Sequence, residues 1–361
     1  MAVPDNDELF YDALGLLRNL ISVPSLSRDE SAAADIVWLF LKERGFDPDR
    51  SGNNVWAVSP GFDETKPTVL LNSHIDTVRP SDGWTTDPFT PVDGADGRII
   101  GLGSNDAGAS VVSLAVSFVY LCSIPQKCNF VFLASCEEEV SGRGGLESVV
   151  PLLPPIDVAI VGEPTNMQPA VSEKGLMVID AEVRGRAGHA AREEGDNAIY
   201  RALPVIEKLK NLCFDKVSPT LGPVKISVTQ IQAGTQHNVV PALCTMVIDV
   251  RTTDAYSNEE TLLIMRNAVG KDVALVPRST RLNPSGIDLG HPLVKRMVML
   301  GAKPFGSPTL SDQALMPWPS VKIGPGDSSR SHTADEYIYP HEIRDAVAFY
   351  TTVLSGLAIR C

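Results

Sequence analysis

The stretch Val69-Leu70-Leu71-Asn72-Ser73-His74-Ile75-Asp76 decides the fold. It is a short apolar run, bounded like a strand, that ends in ionisable side chains. The pattern returns three times. Phe130-Val131-Phe132-Leu133-Ala134 runs to Glu137-Glu138-Glu139, and Val158-Ala159-Ile160-Val161 runs to Gly162-Glu163-Pro164. Val321-Lys322-Ile323 passes through Gly324-Pro325-Gly326, a tight turn, to Ser331-His332-Thr333. Uninterrupted apolar strands belong to a sheet covered on both faces. Helical periodicity surrounds them at 7–22, 30–44, 108–121 and 341–357, the last entered through Pro340. Ser27 and Glu30 read as a capping box for the second of these helices. Strands alternating with helices predict an α/β fold, a mostly parallel sheet with helices on both faces.

The middle of the chain has a different period. Residues 176–185 (Met177, Ile179, Ala181, Val183), 224–232 (Val224, Ile226, Val228, Gln230) and 243–251 (Leu243, Thr245, Val247, Asp249) alternate, as half-buried antiparallel strands do. Helical stretches near 196–212 and 257–269 separate them. Strand, helix, strand, strand, helix, strand is the order of a ferredoxin-like α+β unit. It reads as an insertion at 176–287, leaving 1–175 and 288–361 as the larger domain.

Composition narrows the function classes. A length of 361 residues suits two domains, and 43% hydrophobic with 21% charged residues excludes a disordered chain. The longest apolar run, about 109–122, falls short of the roughly 20 residues a membrane span needs, so no membrane partner is expected. Acidic residues outnumber basic ones 44 to 31, a formal charge of −13 that a nucleic-acid backbone would repel. Cysteines at 122, 128, 136, 213, 244 and 361 form no Cys-x-x-Cys pair, and Met-Ala-Val-Pro-Asp lacks the basic, apolar start of a signal peptide. The expectation is a cytoplasmic protein with reduced thiols.

Sites on open α/β sheets form beyond the carboxyl ends of the strands. There His74, Glu138 with Glu139, Glu163 and His332 can converge, joined by Asp106 from the Gly-rich turn before the helix at 108. Zinc accepts such a mixture of imidazole and carboxylate, and manganese or cobalt takes a similar set. On a strand His74 and Asp76 point the same way, so Asp76 can accept the second ring N–H of His74. Within the acidic triplet, alternation lets one of Glu138 and Glu139 ligate while the other stays free as a general base. Asp106, Glu139, Glu163 and a hydroxide supply four negative charges, which two divalent cations balance.

The motifs Leu71-Asn-Ser-His74-Ile-Asp76-Thr-Val, Gly103-Ser-Asn-Asp106, Glu138-Glu139-Val, Gly162-Glu163-Pro-Thr and Ser331-His332-Thr-Ala-Asp-Glu, in this order and spacing, resemble one family. It is the acetylornithine deacetylase and succinyl-diaminopimelate desuccinylase family of dinuclear zinc amidohydrolases, and the resemblance runs from about residue 10 to 358. It implies two zinc ions per chain, with cobalt or manganese as substitutes. His74 and Glu163 would hold one ion, Glu139 and His332 the other, with Asp106 bridging, Asp76 bracing His74 and Glu138 as base. Arg186-Ala-Gly-His189-Ala-Ala looks like the family's lid motif, whose histidine reaches the partner subunit's active site and stabilises the oxyanion. Asn238 matches a residue that supports this role, and Arg251 one that binds the substrate carboxylate. A zinc-peptidase-like catalytic domain with an inserted lid that forms a homodimer is the implied fold.

The implied reaction is hydrolysis of a small N-acyl amino acid, with the acetylornithine deacetylase branch (acetylornithine or an acylated citrulline, in arginine biosynthesis) the closest. Alternatives are a metallo-carboxypeptidase or dipeptidase, a succinyl-diaminopimelate desuccinylase, and a non-catalytic binding protein that keeps the fold; retention of all five ligands argues against the last. Three positions depart from the family pattern. Gly108 stands where Lys is common, Arg192-Glu193-Glu194 where Pro is frequent, and Ser331 where a small apolar residue is usual.

Overall fold

Four strands lie side by side and parallel, in the order Asn129–Ser135, Thr68–His74, Val158–Val161 and Ser320–Lys322. They form the centre of one sheet in the computed structural model, which describes residues 3–359; Cys361 lies outside the described residues. Every residue of Thr68–His74 and of Asn129–Ser135 is buried. Alternate side chains go to opposite cores. Val69, Leu71, Phe130 and Phe132 pack on one face, and Leu70, Val131 and Leu133 join Trp56, Leu146 and Val149 on the other. This two-sided burial is why the strands read as unbroken apolar runs rather than alternating ones. Each such side chain contributes about 1.5–3 kcal/mol relative to leaving it in water.

Helices Asn6–Ile21, Ala109–Ser123 and Pro340–Leu354 cover the first face with Leu9, Leu17, Leu114, Phe118, Val347 and Tyr350. Asp5 caps the first of them by accepting the Glu8 amide at 2.8 Å. Together with the turn before it, the helix of residues 109–123 forms a 20-residue apolar segment, Ser104–Ser123, long enough by composition to cross a membrane. The side chains of Ala109 to Val119 are buried in this core. The margins of the sheet are antiparallel: Asn54–Val58 pairs Asn129–Ser135 on one side, and Ala170 pairs Lys322 on the other.

Residues Ser172–Ser285 with Gly306–Leu310 form a second compact unit. The sequence pattern suggested 176–287; the segment 306–310 joins by non-local pairing that no periodicity marks. Its four long strands run in the order Lys225–Ala233, Leu243–Thr252, Gly175–Arg184, Val273–Pro277, every neighbour antiparallel. Helices Ala198–Lys210 and Asn258–Val269 complete the ferredoxin-like order, and the second begins with a capping box between Ser257 and Glu260.

Two local expectations are corrected. The strand Leu243–Thr252 buries Cys244, Met246, Ile248 and Val250, not the set Leu243, Thr245, Val247 and Asp249. Both phases carry apolar residues, and packing against Met177, Ile179, Ala181 and Val183 selects the first. Ser27 and Glu30 form no capping box. Helix Ser31–Glu43 has no side-chain cap; Ser27 Oγ instead donates to Asp76 at 2.7 Å. Glu30 is buried and accepts from the Asn53 side chain at 2.8 Å and the Glu137 amide at 3.2 Å.

Candidate metal centre

Because the central strands are parallel, their carboxyl ends share one edge of the sheet. His74 pairs in register with Ser135, and Asn72 with Val161. The residues that follow these ends are therefore neighbours, and so is the His332 loop that follows Ser320–Lys322. The structure brings His74, Asp76, Asp106, Glu138, Glu139, Glu163 and His332 into one cluster.

Asp106 stands in the middle. One of its carboxylate oxygens lies 3.2 Å from His74 Nε2, and the other lies 3.7 Å from His332 Nε2. His74 Nε2 also lies 3.7 Å from Glu163, and His332 Nε2 lies 3.1 Å from both oxygens of Glu139. Two sets of side chains thus share one carboxylate. The far ring nitrogen of His74, Nδ1, lies 3.0 Å from the Asp76 carbonyl and 3.4 Å from its carboxylate, which holds the Nδ1–H tautomer and turns Nε2 toward Asp106. The two histidines differ in setting: the His74 side chain is 1% exposed and that of His332 53%.

Three buried carboxylates hold the backbone beneath these ligands. Asp76 accepts the amides of Glu138 and Glu139 at 3.0 and 3.1 Å. With Glu30 on the Glu137 amide, all three N–H groups of the acidic triplet end on buried carboxylates. Such anchoring stabilises Glu137, whose left-handed φ of 56° costs about 1–2 kcal/mol. Glu336 accepts the amides of Gly103, Asn105 and Asp106. Asp312, also buried, accepts Asn72 Nδ2 at 2.8 Å and Ser135 Oγ at 2.6 Å, tying two strand ends together. Sequence reading missed Asp312, assigned Ser27 and Glu30 to a helix cap, and met Glu336 only as the last letter of a motif. Each acts through a partner remote in the chain, and only the tertiary fold supplies that partner.

The departures from the family pattern find local reasons. A Cβ at position 108 would lie 2.4 Å from the Gly103 carbonyl oxygen, so the turn admits only glycine there. Ser331 Oγ accepts from Asn105 Nδ2 at 3.2 Å and favours the charged form of Asp106. Arg192 and Glu194 form an exposed pair at 3.8 Å.

The electrostatics describe a site rich in negative charge. Burial pushes Glu138 well above the ordinary carboxylate range; His74 pulls it back, and Glu163, Asp312 and Glu139 push it further. Glu163 is raised the same way, by burial and then by Asp106. Burial alone would lower His74, but hydrogen bonds to Asp106 and Asp76 and the fields of Glu163 and Glu138 outweigh it and hold its proton well above the usual imidazole range. Asp106 stays low, its burial outweighed by His74. His332 is pushed up to about 9 by its hydrogen bond to Glu139, against partial burial.

This donor set fits divalent ions. Ligand atoms of His74, Glu138 and Glu163 lie within 4.8 Å of one another, as do those of His74, Asp106 and Glu139. Imidazole nitrogens with carboxylate oxygens suit zinc and its neighbours, and cations relieve the carboxylate crowding that raises Glu138 and Glu163.

The remaining candidates lie in the second unit. A short ribbon pairs Gly188–His189 with Val239–Val240 and adds an Ala190 amide bond to the Asn238 carbonyl at 2.9 Å, which brings His189 and Asn238 together. Both are exposed. The Ala191 amide donates to His189 Nδ1 at 3.1 Å, so the neutral ring carries its proton on Nε2. Arg251 belongs to a different sheet, where Nε and Nη2 grip both oxygens of Asp249 at 3.0 and 3.2 Å.

Comparison with known proteins gives three kinds of likeness. Residues 171–274 match the family model described as a peptidase dimerisation domain. Over 265 residues the chain is 32% identical to a succinyl-diaminopimelate desuccinylase of Buchnera aphidicola, covering 68% of this chain and 69% of that one. It is 30% identical over 289 residues to a probable carboxypeptidase of Emericella nidulans, covering 71% of this chain and 66% of that one. The chain spans just under two thirds, 66%, of the length of several such relatives. In fold it resembles a dinuclear metal-binding peptidase of the M20 family from Bacillus subtilis, with a TM-score of 0.71 at 17% identity over 96% of this chain and 98% of that one.

Proposed function

Because this chain belongs to the M20 peptidase family, we propose that it is a metal-dependent hydrolase cleaving the amide bond of an N-acyl amino acid, with acetylornithine or an acylated citrulline as the first candidates. The observation that carries the reading is Asp106, which offers one carboxylate oxygen to each of two histidine–carboxylate sets. His74 and Glu163 would hold one ion and Glu139 and His332 the other, with Asp106 available to both. A divalent pair bound there supplies Lewis acidity, polarising a carbonyl and making a water molecule more acidic near neutral pH.

The side chains of this chain do the rest. Glu138, with its raised proton affinity, takes a proton from the attacking water and returns it to the leaving amine. Asp76 fixes the tautomer of His74. His189 presents its Nε2–H to the developing oxyanion, in the site of a second copy of the chain paired through the dimerisation unit, and Asn238 steadies the loop that carries it. Arg251 keeps its Nη1 edge for the substrate carboxylate while Asp249 holds the other edge.

The names of the two relatives support a second reading on the same site, hydrolysis of a succinyl amide or of a C-terminal peptide bond. A panel of acetyl- and succinyl-ornithine, -citrulline and -diaminopimelate with dipeptides, assayed after zinc, cobalt or manganese loading, separates the two. Hydrolysis of none of them, by protein carrying two ions per chain, would defeat both readings.

A further inference from the structure

Glu336 is 2% exposed. Its carboxylate takes three backbone amides of one turn. Oε1 accepts the amides of Asn105 and Asp106, both at 2.8 Å, and Oε2 accepts that of Gly103 at 3.1 Å. The Gly101 amide reaches the Glu336 carbonyl at 3.0 Å, continuing the pairing of Tyr337–Ile338 with Ile99–Ile100. The same segment begins at His332, four residues earlier. Asp335 beside it holds Thr85 through its amide and hydroxyl at 2.9 and 2.8 Å. On the other side of the turn, Asn105 exchanges bonds with Asp327 at 3.0 and 3.1 Å.

These bonds matter because the turn is irregular. Asp106, at φ −119° and ψ 98°, lies outside helical geometry just before the helix Ala109–Ser123. The amides of Gly103, Asn105 and Asp106 itself point together toward Glu336. One carboxylate receives all three and so fixes the direction in which the Asp106 side chain leaves the turn. It does so from the segment that carries His332.

The geometry points to Glu336 as a positioning residue: it sets Asp106 between His74 and His332 and so joins the two halves of the metal centre. The inference rests on the metal-centre reading above. A glutamine at 336 would put an NH2 group against amide donors, and an aspartate would keep the charge one methylene too short. A purely architectural Glu336 would lower stability alone.

The test is Co2+ titration of the metal-free full-length chain, read by calorimetry and by the visible absorption of the bound ion, beside thermal melts. For Glu336→Gln the expected result is a roughly 10- to 100-fold weaker affinity, with altered absorption. For Glu336→Asp the expected loss is smaller, under about tenfold, and this variant carries the test if the first does not fold. Leu121→Ala, a buried core change in the helix 109–123, should lose thermal stability and keep wild-type affinity. Wild-type affinity and spectrum in the Glu336 variants would overturn the inference, as would an equal loss of affinity in Leu121→Ala at equal loss of melting temperature. If the wild-type chain itself takes up no Co2+, the metal-centre reading falls, and this inference with it.

Discussion

The histidines of the two units make an instructive pair. His74 is shut in, its ring gripped at both nitrogens and its neighbours' backbone tied to buried carboxylates. His189 stands exposed on a two-residue ribbon, with one ring nitrogen accepting a local amide and the other open. The first arrangement is complete within one chain. Among the described residues the second is a donor without an acceptor, which suits the role proposed for it. Preorganisation is concentrated where like charges must be forced together and is nearly absent where a group must move or wait.

Substitutions can break this contrast, beginning with the largest expected effect. Glu138→Gln should lower kcat by about 10³-fold or more while two ions per chain remain, measured by metal analysis beside turnover. Near-normal turnover would remove Glu138 from the base role. His189→Ala should cost about 10²-fold in kcat with metal content unchanged. Mixed with Glu138→Gln under confirmed subunit exchange, it should recover part of the activity; no recovery would mean that the histidine does not act across subunits. Arg251→Lys, which loses the fork but keeps the charge, should raise KM by roughly tenfold and leave kcat closer to normal.

The response to pH sharpens the contrast rather than testing its existence. His332, pushed up to about 9, holds a proton at neutral pH in the metal-free chain. Ion capture must expel that proton, so affinity should fall as pH drops below 9, by up to about tenfold per unit for one proton released. Stability of the metal-free chain should run the other way. A raised imidazole stabilises the fold fully below about 6.5 and loses that contribution as pH rises through 9. Glu138 and Glu163, raised above their unfolded value of 4.5, weaken the fold in the same direction as pH rises above it. Melting temperature and Co2+ affinity measured from pH 6 to 9 should therefore move in opposite senses; parallel changes would contradict the charge-rich picture of the cluster.

Most of this was legible in the sequence where side-chain type and strand end coincide. His74, Glu139, Glu163 and His332 follow apolar strands, and parallel strands bring their ends together without further information. The βαββαβ order of the second unit was legible for the same kind of reason, since period two and period 3.6 differ. What stayed hidden depends on partners remote in the chain. Ser27 sits where a helix cap would, yet its hydroxyl serves a carboxylate 49 positions away. Asp312 and Glu336 look like surface acids in one dimension and Glu30 like a helix cap, yet all three are buried. The buried phase of Leu243–Thr252 was ambiguous because both faces of that strand carry apolar residues, and only its neighbour decides.

The unequal exposure of His74 and His332 has a kinetic consequence. In the proposed two-ion site, exchange with dissolved ions would begin at the open imidazole rather than at the enclosed one. A chelator would therefore strip this chain in two phases, fast then slow, and the intermediate would keep its remaining ion against His74.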